Sequence, residues 1–388
     1  MLESSPPTPL HVLTLTPFYP NQEDESSGCF IAEPLDALAK IGIANTVFAV
    51  QPFYRRRSHP RSSAQRTQWF RYFSLPGSPG LPAAGAFLFA RLVPVIRELH
   101  RSHPIQLIHA HAPLPCGHAA MLLGSELQIP YIVSVHGLDA YSTQQVPGRA
   151  GEWCRRISRR VYRSAKRVVC ISEHVREAVL EGTREGRTSV VYNGVDPDFF
   201  SPRDVPGLRV QKILSVGNLI PIKGHDVLLR AFSALASEFP DLKLEIIGDG
   251  LERSRLKGLA NELNIVNRVN FLGRRPRQQV ADAMRQCAIF ALPSRYEGLG
   301  CVYLEAMATA KPVIGCRGQG IAEIIQHGSN GFLVGPDNDR ELALAISMLL
   351  RDENRMRNLG IAAHDTILDR LTLDHQAERL ARIYRECA

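Results

Sequence analysis

Short apolar runs separated by amphipathic stretches organise the chain. In the first half they centre near Val12, Val47, Ile108, Ile132, Val169 and Val190, and in the second near Leu214, Ile246, Val269, Ile289, Val313 and Phe332. Runs of this kind alternating with helical spacing predict parallel strands covered by helices, and the pattern is long enough for two sheets. The expected fold is therefore α/β, with two Rossmann-like, doubly wound parallel-sheet domains. Pro202 and Pro206 interrupt the apolar pattern, which puts a boundary within Phe199–Leu208, between a first domain over 1–200 and a second over 206–370. The final stretch, Asp374–Tyr384, starts from an Asp cap and sets Leu380 and Ile383 on one face, predicting a terminal helix within 371–388.

One segment adds chemistry to this frame. Cys287–Leu292 is an apolar run ending at Pro293 and reads as a buried strand, whereas Cys301–Ala310, with Ala, Met and Leu, reads as a helix. Gly298, Leu299 and Gly300 then occupy the turn from strand to helix N-terminus. Glycines there let backbone approach a ligand closely, and the helix's unpaired N–H groups and positive dipole end favour a pyrophosphate. Glu297 lies just before the turn, and Glu305 about one turn into the helix, placed to accept hydrogen bonds from hydroxyls. The same residues also read as a solvated loop glutamate and a helix-surface glutamate; the segment alone leaves both readings open.

Ser294–Ala308 resembles the paired-glutamate motif of the retaining family-4 glycosyltransferases of GT-B fold. Ser215–Asp226, a strand leading to Lys223-Gly224, resembles a second motif of that family, and Val133–Asp139, a strand ending in His136-Gly137, a third. Tyr192–Asp196, Ile247–Gly250 and Asn330–Val334 add agreement, in the family's order and over nearly the whole chain. The resemblance implies two domains facing a cleft, with the last helix crossing back to the first. It implies retaining transfer of a hexose-type sugar from a UDP- or GDP-hexose to a hydroxyl of a glycan, polysaccharide or lipid-linked acceptor in cell-envelope or exopolysaccharide synthesis.

By the same resemblance, Lys223 neutralises the leaving diphosphate, Glu297 meets sugar hydroxyls, Glu305 meets the ribose, and His136 approaches the donor sugar. Gly28 belongs to a loop near the phosphates, and Gly248 and Gly250 line the base or phosphate side. The family usually carries an Arg where this chain has Asn218, which supplies no charge; Arg295 is the nearby base considered as compensation. No cofactor or metal is implied. Asp196-Pro197-Asp198 reads as turn chemistry, and His109, His111 and His118 lack a nearby Cys or acid, so packing is preferred to a zinc site. A sugar-nucleotide epimerase of the same fold and a catalytically weak scaffold of a polysaccharide assembly complex are the alternatives. A dinucleotide-dependent dehydrogenase is disfavoured because Gly248-Asp249-Gly250 lacks the third glycine of its phosphate turn.

Composition narrows location and partners. The polar opening Met1–Pro9 predicts no signal core, and the most apolar stretch, Gly85–Ile96, is broken by Arg91 and Pro94. Eight scattered cysteines predict reduced thiols in the cytoplasm. The net charge of +8 is concentrated in two acid-free segments, Arg55–Arg71 with six Arg, and Arg155–Arg167 with six Arg and one Lys. Arg156, Arg160, Arg163 and Arg167 recur at helical spacing. Such a face predicts peripheral association with an anionic inner membrane surface, or is simply solvated; sparse aromatic interleaving argues against nucleic acid.

Overall fold

Both halves of the apolar pattern fold as parallel sheets. The computed structural model describes residues 10–56, 66–76, 80–140, 146, 148–203 and 212–388. Parts of the basic segment Arg55–Arg71 and of the expected boundary Phe199–Leu208 lie outside those residues. The chain divides into two compact units, one running to Tyr192 and including Leu373–Ala388, the other spanning Asn193–Thr372.

The first unit contains β1 (Leu10–Thr16), α1 (Cys29–Lys40), β2 (Ile43–Pro52), β3 (Arg66–Tyr72), α2 (Leu81–Ser102), β4 (Leu107–His111), α3 (His118–Leu127), β5 (Tyr131–Val135), α4 (Gly148–Ser164), β6 (Arg167–Cys170), α5 (Glu173–Leu180) and β7 (Thr188–Val190). Among the described residues its strands are ordered β3-β2-β1-β4-β5-β6-β7, all parallel. The apolar pattern does not mark β3, because Arg66, Gln68 and Arg71 interrupt it. The strand lies at the sheet edge, where polar side chains meet water.

The second unit contains β8 (Lys212–Val216), α6 (His225–Leu235), β9 (Lys243–Ile247), α7 (Arg253–Glu262), β10 (Val269–Gly273), α8 (Arg277–Gln286), β11 (Ile289–Ala291), α9 (Cys301–Ala308), β12 (Val313–Cys316), β13 (Phe332–Val334), α10 (Asp339–Arg351) and α11 (Glu353–Arg370). Its parallel sheet runs β10-β9-β8-β11-β12-β13. Ile213, Leu244, Ile246 and Ile289 of the strands share one core with Leu228, Phe232, Ile346 and Leu349 of α6 and α10. Apolar residues on successive helical turns seat those helices on the sheet.

The last helix, α12 (Leu373–Cys387), packs on α1: Leu380, Ala381 and Tyr384 share a core with Leu35 and Leu38. Both sheets therefore have the strand arrangement of a Rossmann-like doubly wound domain.

Candidate active site

In each sheet the order reverses between the first strand and the fourth by chain position or its equivalent, β1/β4 and β8/β11, and the loops beyond such switch points form the natural crevice of a parallel sheet. β8 and β11 pair directly, Ile213 with Ile289 and Leu214 with Phe290. The loops that follow them are consequently neighbours, and they carry Lys223 and Glu297.

Lys223 closes a single 3-10 turn, Pro221–Lys223. Gly224 follows at φ 67°, and a Cβ there would lie 2.0 Å from the Pro293 carbonyl oxygen, so glycine lets the two loops touch. Lys223 Nζ is 2.5 Å from Glu297 Oε2. Ser294 Oγ donates to the same carboxylate oxygen at 3.4 Å. Glu297 is also fixed by its backbone: its N–H donates to Gln319 Oε1 at 2.8 Å and its carbonyl accepts from Gly320 N–H at 3.0 Å. An ammonium and a carboxylate thus meet at the carboxyl edge of the sheet, with side chains 18% and 12% exposed. Partial burial strengthens their interaction with each other and with any charged ligand.

The turn after Glu297 is built for close approach. Gly300 has φ 85°, and a Cβ would fall 2.6 Å from the Tyr303 ring and 2.9 Å from Glu297 Cγ. Leu299 is fully buried and anchors the turn, while the Tyr303 hydroxyl donates to the Leu292 carbonyl beneath it. Glu305, in α9, is buried, with Oε1 3.5 Å from Arg277 Nη2. Burial raises its carboxyl pKa and Arg277 opposes the shift. The Arg277 guanidinium lies over the rings of Phe199 and Phe200, at 5.5 and 5.1 Å.

Gly248 and Gly250 have a local structural cause. A Cβ on Gly248, at φ 139°, would lie 1.9 Å from the Gly217 carbonyl oxygen, and one on Gly250 would lie 2.4 Å from that of Leu219. Leu219 N–H donates to the Asp249 carbonyl at 3.0 Å, stitching the β8 and β9 loops together and leaving Asn218 exposed at their junction.

Arg295 is engaged elsewhere than expected. Its Nη1 and Nη2 hold Asp226 Oδ1 and Oδ2 at 2.9 and 3.0 Å, Nη1 also donates to the Pro221 carbonyl, and Nε donates to Asp337 at 2.7 Å. Nη2 lies 2.6 Å from Asp337 as well. This planar fork braces the β11 loop against α6, and its N–H groups are directed at these acceptors. Burial alone would raise the Asp226 pKa, but Arg295 and Arg230 hold the carboxyl down at about 2. A carboxylate more acidic folded than unfolded contributes stability that is complete above its unfolded pKa and lost as pH falls through the folded value. Asp226→Asn is therefore expected to cost about 2 kcal/mol near neutral pH, with the difference vanishing towards pH ~2. Denaturant titrations at the two pH values measure it.

In the first unit, Gly28 precedes α1 at φ 75°, with a Cβ position 2.5 Å from the Phe18 carbonyl carbon. His136 follows β5. Its backbone N–H donates to Asp139 Oδ1 at 2.9 Å, and its Nε2 is 3.1 Å from His111 Nδ1 on β4. The His136 ring stacks on His111 and meets the edge of Phe30 at 5.0 Å. His109 continues the row, bonded to Tyr384 Oη at 2.8 Å and Ser134 Oγ at 2.7 Å. Burial lowers His136 to about 4, and burial with the neighbouring His136 lowers His109 to about 3. Burial also pushes the Asp139 carboxyl up to about 7, against backbone N–H groups that favour its charge. His111 Nε2 and His136 Nδ1 are buried without hydrogen-bond partners.

The second unit thus gathers Asn218, Lys223, Gly248, Gly250, Arg295, Glu297, Gly298, Leu299, Gly300 and Glu305 around one strand edge, and the first unit holds Gly28 and His136. Gln319, Gly320, Arg277, Asp226 and His111 complete the geometry; the first three give no sign in the sequence, Asp226 closes the Lys223 segment without a role of its own, and His111 enters there only as part of a possible zinc cluster that reads as packing. Gly320 and Gln319 carry no local signal, since they come from the segment after β12, which meets Glu297 only in the fold. Among the described residues no group of three His, Cys, Asp or Glu is arranged to hold a metal, and no disulfide joins the cysteines. Asp196 Oδ1 accepts from the N–H groups of Asp198 and Phe199, both at 3.0 Å, as a turn side chain.

Comparison with known proteins gives a consistent picture. Residues 205–366 match the family model described as Glycosyl transferases group 1, and residues 30–199 match that of Glycosyltransferase Family 4. An uncharacterized glycosyltransferase of Methanocaldococcus jannaschii is 31% identical over 265 residues, 68% of this chain and 71% of the relative. Among solved structures, the sucrose-phosphate synthase of Thermosynechococcus elongatus superposes with a TM-score of 0.77 at 21% identity, over 97% of this chain and 98% of that one. Anabaena HepE in complex with UDP and glucose gives 0.74 at 22%, over 96% and 98%. At these identities the two structures speak for the fold.

Proposed function

The chain belongs to the family-4, group-1 glycosyltransferases, and from that premise we propose that it transfers a hexose from a UDP- or GDP-hexose to a hydroxyl of a glycan, polysaccharide or lipid-linked acceptor, with retention and without a metal. The observation that carries this reading is the Lys223–Glu297 pair at the β8/β11 switch point. A cation beside the α9 N-terminus suits a leaving diphosphate, and the carboxylate beside it suits the hydroxyls of the attached sugar. UDP with glucose in HepE is compatible with a uridine donor.

In this scheme Glu305 accepts from the ribose hydroxyls, with Arg277 balancing its buried charge. Gly298, Leu299 and Gly300 shape the turn that receives the phosphates. Asn218 offers no charge, and Arg295 acts as a brace for the β11 loop in place of a diphosphate ligand. His136, uncharged at neutral pH and backed by His111, approaches the donor sugar near its 6-position. The departing phosphate oxygen takes the acceptor proton, so no separate protein base is assigned.

The product's anomeric configuration tests the scheme. Proton NMR of the product is expected to show the donor's configuration, with the rate unchanged by chelator; an inverted product, or abolition by chelator, contradicts it. The proposed setting is the cytoplasmic face of a membrane that presents a lipid-linked or growing glycan acceptor. No helix among the described residues is long and apolar enough to cross a membrane.

A further inference from the structure

The first unit exposes a joined set of aromatic side chains at the carboxyl edge of its sheet. Phe53 and Tyr54 follow β2 and Phe73 follows β3; they are 44%, 43% and 49% exposed. The Phe53 and Phe73 rings are stacked, 5.4 Å between centroids and 5° between planes. Tyr54 meets Phe53 edge-on at 6.0 Å, and Phe87 of α2 meets Phe73 at 5.0 Å. Leu75 extends the surface. Large apolar side chains are normally scattered on a surface; a contiguous set marks a contact site.

Its electrostatic setting identifies the partner. Arg55, Arg56 and Arg71 are exposed beside these rings, and Arg71 Nη2 donates to the Arg55 carbonyl. From residue 37 to residue 97 the sequence contains no Asp or Glu and nine Lys or Arg. α4, the other basic element, is partly neutralised: Arg155 and Arg156 pair with Glu152, and Arg159 with Glu181. Rings that insert at the headgroup boundary, surrounded by arginines that meet phosphates, match an anionic bilayer surface.

We infer that Phe53, Tyr54, Phe73 and Phe87, with Arg55, Arg56 and Arg71, form a docking surface for an anionic phospholipid bilayer. The inference deepens the membrane setting proposed above and does not depend on transfer activity. Because β2 and β5 are parallel and three strand positions apart, the aromatic surface emerges at the same edge as His136, displaced by roughly 14 Å. Docking there sets that edge at the lipid surface, where a lipid-linked acceptor hydroxyl resides.

The test is cosedimentation of the full chain, without donor, with phosphatidylglycerol/phosphatidylethanolamine vesicles and with phosphatidylcholine vesicles. The intact protein should pellet with the anionic vesicles, and Phe53→Ser/Phe73→Ser should reduce partitioning on the order of tenfold or more. Arg55→Ser/Arg71→Ser should reduce it and weaken its salt dependence. Thermal melts of both variants matching the parent show that the fold is intact, and nucleoside diphosphate release with a soluble acceptor should be unchanged. Vesicle binding unaffected by the phenylalanine substitutions overturns the inference, as does equal binding to phosphatidylcholine. Loss of a dimer on gel filtration with unchanged vesicle binding overturns it too, making the surface an interface between copies.

Discussion

Lys223→Ala is expected to lower turnover on the order of a hundredfold or more, with a smaller change in donor affinity. In the proposed scheme the ammonium, 2.5 Å from Glu297, sits where charge would develop as the diphosphate departs, so its main contribution would arise in the transition state. Glu297→Gln keeps the size of the side chain and removes its charge, and is expected to act on the same scale. Each side chain is also the other's electrostatic partner, so the two losses should not add: the double variant should be little worse than either single one. Steady-state kinetics of the three variants checks this. Full additivity would mean that the pair does not act as a unit, unchanged turnover in the single variants would mean that the pair is not catalytic, and a scaffold would show no turnover to lose.

The second large effect falls on a glycine outside the recognised motifs. A Cβ on Gly320 would lie 1.8 Å from the Gly298 carbonyl oxygen, while the Gly320 N–H holds the Glu297 carbonyl at 3.0 Å. Both obstacles are backbone, so Gly320→Ala must displace the glutamate turn, at a cost of about 1–3 kcal/mol, and activity should fall with it. Gly258 supplies the contrast. It is exposed on α7 with nothing within 4 Å of its Cβ position, so Gly258→Ala should stabilise by roughly 0.5–1 kcal/mol with activity unchanged. Thermal denaturation of the two variants should show opposite signs.

The double sheet was legible because its strands carry short apolar runs, nearly unbroken in the buried strand at Ile289 and alternating with Lys243 and Glu245 in the strand at Ile246. β3 was not, because an edge strand needs only one partner and tolerates Arg66, Gln68 and Arg71. Glu297 was legible as a candidate because it precedes the glycine turn from β11 to α9, and Glu305 because it lies about one turn into that helix; Lys223 stood out only through the family resemblance, since on its own it reads as a surface loop lysine. Arg295 shows the limit of that reasoning: sequence placed a base in the loop, but only the fold reveals that Asp226 and Asp337 claim its guanidinium. Gly248 and Gly250 are equally double-edged, since their close backbone approaches suffice to require glycine without any ligand. The histidine row was legible as residues but not as a group, because His111 and His136 meet only through the pairing of β4 with β5.

The most direct measurement is nucleoside diphosphate release by the purified protein from a panel of UDP- and GDP-hexoses, in the presence of chelator and of a mixed set of sugar and lipid-linked acceptors. The account predicts release from one donor, retained with chelator and lost in Glu297→Gln. Release that persists undiminished in Glu297→Gln, or no release together with no donor binding by calorimetry, would contradict it.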